Sequence, residues 1–218
     1  MIKNFSIIVS NTSRSLSYLN ILKKNNFTPN FIIYLEDKNK NKISNLIRKK
    51  INKFSKRKIK IFLKTKIDTK IDKFLINLHD KFIIYSGYPG ILVKSSKLLK
   101  KKIVIHNHSG KIPEFKGSTT IYYSLLKEKK IYCSTIILNN KIDEGKILLI
   151  KKYPIPKNIR LIDNKYDDYI RSNNLILFMK SFKKLNVLSK KKTNLQPYYV
   201  IHPLLRSAVF KKFTKKYK

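Results

Sequence analysis

Cysteine is nearly absent from this sequence, and long apolar runs are missing altogether. Cys133 is the single cysteine among 218 residues, so no disulfide can form within the chain. A reducing, cytoplasmic compartment is therefore expected. No apolar segment approaches the roughly 20 residues that cross a bilayer, and the first residues lack the cleavage pattern of a signal peptide. The sequence thus argues against a disulfide-stapled secreted domain and predicts a protein with no membrane partner.

Acidic residues are also scarce. Twelve Asp and Glu stand against 50 Lys and Arg, which gives a formal net charge of +38. We therefore expect salt-dependent, non-specific binding of polyanions, and a basic nucleic-acid-binding protein is one hypothesis for the chain. Only six of the basic residues are arginines, however, and the charge is spread from Lys3 to Lys218. Because nucleic-acid readers usually rely on arginine, this distribution favours a composition bias of the genome.

Glycine is too rare to build a nucleotide-binding loop at the usual place. Five glycines occur, and none lies in the turn SNTSRS that follows the first apolar strand. A dinucleotide-binding turn needs glycine there so that the backbone can approach the pyrophosphate. A P-loop is missing as well. These absences argue against enzymes that use NAD or nucleoside triphosphates.

Strand-like and helix-like segments alternate along most of the chain. The predicted strands are 5–10, 31–35, 58–63, 81–86, 103–108, 132–138 and 146–153. The predicted helices are 13–25, 43–54, 68–78, one that follows an N-cap at Ser118 or Thr119, and 167–185. This order predicts an α/β fold with a mostly parallel, Rossmann-like open sheet and helices on both faces. In such folds the functional site lies beyond the carboxyl ends of the strands.

Two of the four histidines lie at the end of one predicted strand. His106 and His108 close the apolar run that begins at Ile103, and residues two apart on a strand point to the same face. A loop with two glycines and a proline follows, at 109–117. Further along, the loop 139–145 brings Asp143 close to the end of another strand. Two imidazoles and a carboxylate from neighbouring strand ends indicate an acid/base cluster.

These motifs resemble those of the formyltransferases that use 10-formyltetrahydrofolate. That superfamily includes the glycinamide ribonucleotide, methionyl-tRNA and sugar N-formyltransferases. Its pattern is Asn-x-His, then Leu-Pro-x-x-Arg/Lys-Gly, then Leu/Ile-Asp-x-Gly. The corresponding segments here are HNH at 106–108, IPEFKG at 112–117 and IDEG at 142–145. His106 stands where the family has asparagine, so the chain resembles a divergent His-x-His variant.

The resemblance implies a formyltransferase fold and an enzyme of one-carbon metabolism whose formyl donor is 10-formyltetrahydrofolate. It implies a catalytic domain over 1–155, with a short C-terminal helical extension over 156–218 that packs on the same domain. The site residues that it implies are the catalytic His106, His108 and Asp143, the donor-binding Tyr88, Gly90, Ile91 and Leu92, and the substrate-binding Ser109, Gly110, Lys116 and Gly117. No metal is required.

The resemblance also implies roles for the three catalytic residues. An amine would attack the formyl carbon, and negative charge would develop on the formyl oxygen. His106 would donate a hydrogen bond to that oxygen, and His108 would stabilise the same charge or relay a proton. Asp143 would orient His108 and help to remove the proton of the amine.

The acceptor and the reaction class have alternatives. Only about sixty residues follow the motifs, which favours a small-molecule amine such as an aminosugar nucleotide over tRNA. A metal-dependent hydrolase, with His106, His108 and Asp143 as zinc ligands, is a second enzyme hypothesis. A nucleic-acid-binding or catalytically degenerate protein that keeps the fold is the hypothesis outside enzymes.

Overall fold

The computed structural model describes residues 2, 4–39, 42–54, 59–182 and 195–214. Seven strands in this part of the chain form one sheet, in the order β3-β2-β1-β4-β5-β6-β7. The strands are β1 Phe5–Ser10, β2 Phe31–Leu35, β3 Ile59–Phe62, β4 Phe82–Ser86, β5 Ile103–His108, β6 Ile131–Ile137 and β7 Lys146–Tyr153. The first five are parallel to their neighbours, and the pairs β5–β6 and β6–β7 are antiparallel.

Helices connect the strands and cover both faces of the sheet. They are α1 Ser13–Lys24, α2 Lys42–Ile51, α3 Thr69–Ile76, α4 Ser96–Lys101, α5 Thr120–Glu128, α6 Asp167–Ser181 and α7 Pro203–Thr214. A short 3₁₀ turn at Ile159–Leu161 and a π turn at Ile162–Tyr166 lead into α6. The expected α/β architecture, a mostly parallel open sheet with helices on both faces, is therefore confirmed.

The central strands are buried on both faces, which explains their continuous apolar sequences. All six residues of β1 are buried, as expected for a parallel strand covered by helices on each side. Ile7 and Val9 pack in one core together with α1, α2 and α6. Ile8, on the opposite face, packs in a second core with α3 and α4. Alternate residues of one strand thus serve two separate cores.

Most predicted strands agree with the structure to within one residue, and several helix details do not. Helix α4 was not predicted, because six residues with a single buried leucine, Leu98, give too little periodicity. The helix expected over 167–185 is helical to Ser181, and residues 183–185 lie outside the described part. Thr119 is the N-cap of α5, but it has a left-handed backbone and its side chain caps no N–H group.

The strand order places a crevice next to β1. The chain first builds β2 and β3 on one side of β1 and then returns to add β4 on the other side. Helices therefore leave the carboxyl ends of β1 and β4 toward opposite sides, and the gap between them is where open α/β sheets bind ligands. The end of β5, which carries the two histidines, lies beside this gap.

The segment beyond residue 155 contributes to the same core as the first strand. Leu175, Phe178 and Met179 of α6 belong to the core that contains Ile7 and Val9. The expected boundary at 155 stays a prediction, with α6 tightly packed on the sheet. Within the described residues, no helix has the length and apolar character needed to cross a membrane.

Helix α1 supplies a test of this packing. Leu19 is fully buried on α1, whereas Leu46 on α2 is 45% exposed. We expect Leu19→Ala to lower the free energy of unfolding by about 2–5 kcal/mol, because a cavity is left in the core. Leu46→Ala, the matched control, should change it by less than about 1 kcal/mol. Chemical denaturation measures both, and equal losses would contradict the packing of α1.

Candidate active site

The two histidines of β5 share one face of the sheet, and Asn107 lies on the other. His106 and His108 both line the largest cavity of the described structure. The Asn107 side chain is fully buried, where it donates to the Tyr18 hydroxyl and accepts from the Thr135 hydroxyl. Asn107 therefore cannot reach the cavity in place of the asparagine that the family pattern carries. His106 occupies that position on the strand.

Asp143 closes the cluster from the β6–β7 loop. Its Oδ2 atom lies 3.3 Å from Nδ1 of His108 and accepts the Gly117 backbone N–H at 2.9 Å. On the other side of the ring, Nε2 of His108 donates to the Phe115 carbonyl oxygen at 2.7 Å. Since a carbonyl oxygen only accepts, Nε2 must carry a proton. Nδ1 then faces a carboxylate, so a second proton between His108 and Asp143 makes them a charged pair.

The electrostatics of Asp143 agree with such a pair. Burial alone would raise the pKa of this carboxyl group. The positive charge of His108, with a smaller contribution from His106 and the Gly117 N–H, outweighs burial and lowers the pKa of Asp143 below its usual range. The carboxylate therefore stays ionised at neutral pH, although only 12% of its side chain is exposed.

His106 is held in the opposite state. Burial, followed by the positive charges of Arg171 and Arg14, lowers the pKa of His106 well below its usual range. The ring is therefore neutral at neutral pH and carries one proton. Its Nδ1 lies 3.5 Å from the Tyr85 carbonyl oxygen, which can only accept. This contact favours the proton on Nδ1 and leaves a lone pair on Nε2.

The cavity next to this cluster, here called the large cavity, has a volume of about 500 Å³. The expected donor-binding residues Tyr88, Gly90, Ile91 and Leu92 all lie on its wall. Val93 and Leu138 add further apolar surface. One wall is therefore apolar and aromatic, and the opposite wall carries the two histidines and Asp143.

A second cavity, here called the small cavity, has a volume of about 270 Å³ and adjoins the first. The shared lining residues are Arg14, Pro89, Gly117, Thr119 and Arg171. Ser109 lines the small cavity alone and donates to the Asp167 carboxylate. The two cavities meet beside the catalytic cluster, so two ligands bound there would have adjacent ends.

The expected substrate-binding residues divide into two groups. Ser109 and Gly117 line the small cavity. Gly110 and Lys116 line neither cavity. A Cβ atom on Gly110 would lie 2.6 Å from Nε2 of His108, so this glycine leaves space for the imidazole. Lys116 is 5% exposed and its ammonium pairs with Glu144, so it joins the loop after β5 to the β6–β7 loop.

Sequence reasoning missed two arginines and a C-terminal segment. Arg14 and Arg171 line both cavities, and Pro197–Val200 borders the large one. The arginines lie on α1 and α6, far apart in sequence, and no local motif marks them. The only signal for the segment was its aromatic sequence, QPYYV. In the structure the Tyr198 backbone pairs with Gly117, and its ring stacks on Tyr123 with centroids 4.3 Å apart.

The three catalytic candidates could also hold a cation by distance alone. One ligand atom from each of His106, His108 and Asp143 lies within 4.8 Å of the others. The environment is unfavourable to a dication, however, since Arg14 and Arg171 line the same cavity. In addition, Nε2 of His108 is already bound to the Phe115 carbonyl. The donor set therefore fits an acid/base cluster better than a metal centre.

Two glycines with positive φ provide a test of how the C-terminal segment is held. Gly117 has φ +103°, and a Cβ atom there would lie 2.3 Å from the Tyr198 carbonyl oxygen. Gly90 has φ +73°, and nothing lies within 4 Å of its added Cβ. Gly90→Ala should cost about 1–2 kcal/mol of unfolding free energy from backbone strain. Gly117→Ala should cost clearly more, because the Tyr198 backbone must also move. Equal losses would contradict this contact.

The low pKa of His106 predicts a pH-dependent stability. Its folded-state pKa lies below the unfolded value of about 6.5, so the stabilisation is complete above that value and is lost as the pH falls below it. Between about pH 6.5 and pH 5, the unfolding free energy should decrease by up to about 1.4 kcal/mol per pH unit. His106→Gln should flatten this slope. His79→Gln, at an exposed histidine, should leave it unchanged, and an unchanged slope in His106→Gln would refute the prediction.

Comparison with known proteins agrees with this fold. No family model matches the sequence. A methionyl-tRNA formyltransferase from Hydrogenobaculum sp. (strain Y04AAS1) is 29% identical over 94 residues, which is 42% of this chain and 31% of that protein. The match therefore spans about a third of the length of this relative.

Solved structures match over almost the whole chain. A sugar N-formyltransferase from Shewanella sp. FDAARGOS_354 has a TM-score of 0.62 at 18% identity, over 96% of this chain and 87% of that one. WlaRD, a sugar 3N-formyltransferase crystallised with dTDP and 5-N-formyl-THF, has a TM-score of 0.59 at 19% identity, over 91% and 70% of the two chains. The resemblance noted in the sequence is thus confirmed in the architecture: this chain has the formyltransferase fold.

Proposed function

We propose that this protein is a cytoplasmic formyltransferase, which transfers the formyl group of 10-formyltetrahydrofolate to the amine of a small molecule such as an aminosugar nucleotide. One observation carries the proposal. His106, His108 and Asp143 form an acid/base cluster at the junction of two cavities. A transferase needs one site for its donor and one for its acceptor, with the reacting groups between them.

The large cavity fits the formyl donor. Tyr88, Ile91, Leu92, Val93 and Leu138 give it the apolar surface that a flat heteroaromatic ring system requires. Its volume of about 500 Å³ is in the range of sites for molecules of this size. WlaRD, which has the same fold, was crystallised with 5-N-formyl-THF. These observations support 10-formyltetrahydrofolate as the donor bound here.

The catalytic cluster can supply both kinds of assistance that formyl transfer needs. The charged pair of His108 and Asp143 holds a proton next to the cavity, where it stabilises negative charge that develops on the formyl oxygen. His106 is neutral with a lone pair on Nε2, so it accepts the proton that the attacking amine loses. The same proton is then available to the nitrogen that leaves. The geometry thus favours a proton-accepting role for His106 over the hydrogen-bond donation expected from the sequence.

The small cavity is the proposed acceptor site. It adjoins the catalytic cluster through Gly117 and is lined by polar and charged side chains. Two proteins of the same fold are described as sugar N-formyltransferases, and one of them was crystallised with dTDP. We therefore favour a nucleotide-linked aminosugar. A tRNA acceptor is the weaker alternative, supported by the partial match to a methionyl-tRNA formyltransferase.

Formyl transfer predicts a specific pattern of activity loss. We expect single-turnover consumption of 10-formyltetrahydrofolate in the presence of an acceptor, from a panel of aminosugar nucleotides, glycinamide ribonucleotide and methionyl-tRNA. His108→Ala and Asp143→Asn should each reduce the rate on the order of 10²- to 10⁴-fold, because each removes part of the same proton-holding pair. His79→Ala, at an exposed histidine outside both cavities, is the control and should keep the rate.

The other hypotheses give different results in the same assay. A metal-dependent hydrolase would release formate without an acceptor and would lose activity with EDTA. A catalytically degenerate or nucleic-acid-binding protein would show no turnover with any acceptor, and binding to RNA that disappears at moderate salt. Either pattern in the wild-type protein would refute the proposed function.

A further inference from the structure

The small cavity contains an unusual number of charges for its size. Two guanidinium groups, Arg14 and Arg171, and two carboxylates, Asp163 and Asp167, lie on its wall. Buried charges must be paired or bind a charged ligand, because leaving water is costly. The partners of each group therefore indicate what a ligand must supply.

Both carboxylates already have cationic partners. Asp167 accepts from Nε of Arg171 through both oxygens, at 2.8 and 2.9 Å. Asp163 is bound by Arg206 and by the Tyr122 hydroxyl. Arg171 also donates to the Asn107 carbonyl oxygen, which anchors α6 to β5. These pairs need nothing from a ligand.

Arg14 has no such partner. Its guanidinium donates to the Gly87 carbonyl oxygen and, at 3.4 Å, to the Ser86 hydroxyl, both of which are neutral. Among the described residues, Arg14 forms no salt bridge with a carboxylate. Burial and the nearby positive charge of Arg171 lower the pKa of Arg14 from its usual value. Asp168 is the nearest further acid on α6, but burial raises its pKa to about 6, which weakens its compensation.

We propose that Arg14 binds a phosphate group of the acceptor, and that the acceptor is therefore a phosphate-bearing amine. An arginine with free N–H groups beside a cavity is suited to phosphate, because its planar fork donates two parallel hydrogen bonds. Arg14 lines both cavities, so a phosphate held there leaves the remainder of the acceptor next to the catalytic cluster. The inference rests on the proposed function and adds the residue that selects the substrate.

Phosphate binding can be measured without turnover. Inorganic pyrophosphate is the probe, and calorimetry at about 0.15 M ionic strength suppresses binding to the lysine-rich surface. Arg14→Met should weaken binding about 10- to 100-fold, since it removes hydrogen bonds to a charged group. Arg160→Met removes the same charge from an exposed arginine outside both cavities and should leave the affinity unchanged. Arg14→Lys keeps the charge but not the fork, and should fall between the two.

The outcomes separate this inference from the proposed function. Unchanged pyrophosphate affinity in Arg14→Met overturns the inference, whatever the turnover shows. Equal weakening in Arg14→Met and Arg160→Met also overturns it, because the binding would then be general attraction to a basic protein. A loss confined to the Arg14 variants supports the site, even if no acceptor is formylated. Where turnover is found, Arg14→Met should raise the KM of phosphate-bearing amines and leave that of glucosamine unchanged. An equal rise for both amines overturns the phosphate assignment.

Discussion

The carboxylate of Asp143 joins the parts of the chain that build the site. It accepts the N–H of Gly117 and faces His108, so the β6–β7 loop is bound at once to the end of β5 and to the loop that follows β5. Gly117 in turn pairs with the Tyr198 backbone, which brings in the C-terminal segment. Because Asp143 stays ionised in a nearly buried position, its three contacts are interdependent. Loss of the carboxylate would therefore loosen all four segments together.

Burial of charge gives the two histidines different states although they lie only two residues apart. His108 is compensated by Asp143 and so can hold a second proton. His106 faces Arg171 and Arg14 without a carboxylate of its own, and a proton there would add to an existing positive field. The result is one cationic and one neutral imidazole at the same end of β5. A site with both a proton holder and a proton acceptor follows from this asymmetry.

The sequence predicted those parts of the structure that depend on local pattern. The apolar runs at 5–10, 31–35 and 146–153 correspond to strands with the same bounds, since a strand buried on both faces has little choice of composition. The proximity of His106, His108 and Asp143 could be expected, because parallel strand ends and their loops meet at one edge of the sheet. Helix α4 and the backbone of Thr119 depend on tertiary contacts. The Thr119 hydroxyl accepts from the N–H of Ile201, 82 residues later, instead of capping its own helix.

The arginines were the main omission, and the reason lies in composition. With 50 basic residues in the chain, charge alone cannot distinguish a residue of the site from one of the surface. The distinction is chemical: Arg48, Arg171 and Arg206 each donate to a carboxylate, which uses the forked geometry that lysine lacks. In a sequence that uses lysine for most of its positive charge, arginine marks the positions where hydrogen-bond geometry matters. Arg14 has the same fork, lines both cavities and lacks the carboxylate. The same reasoning therefore assigns its missing anion to a ligand.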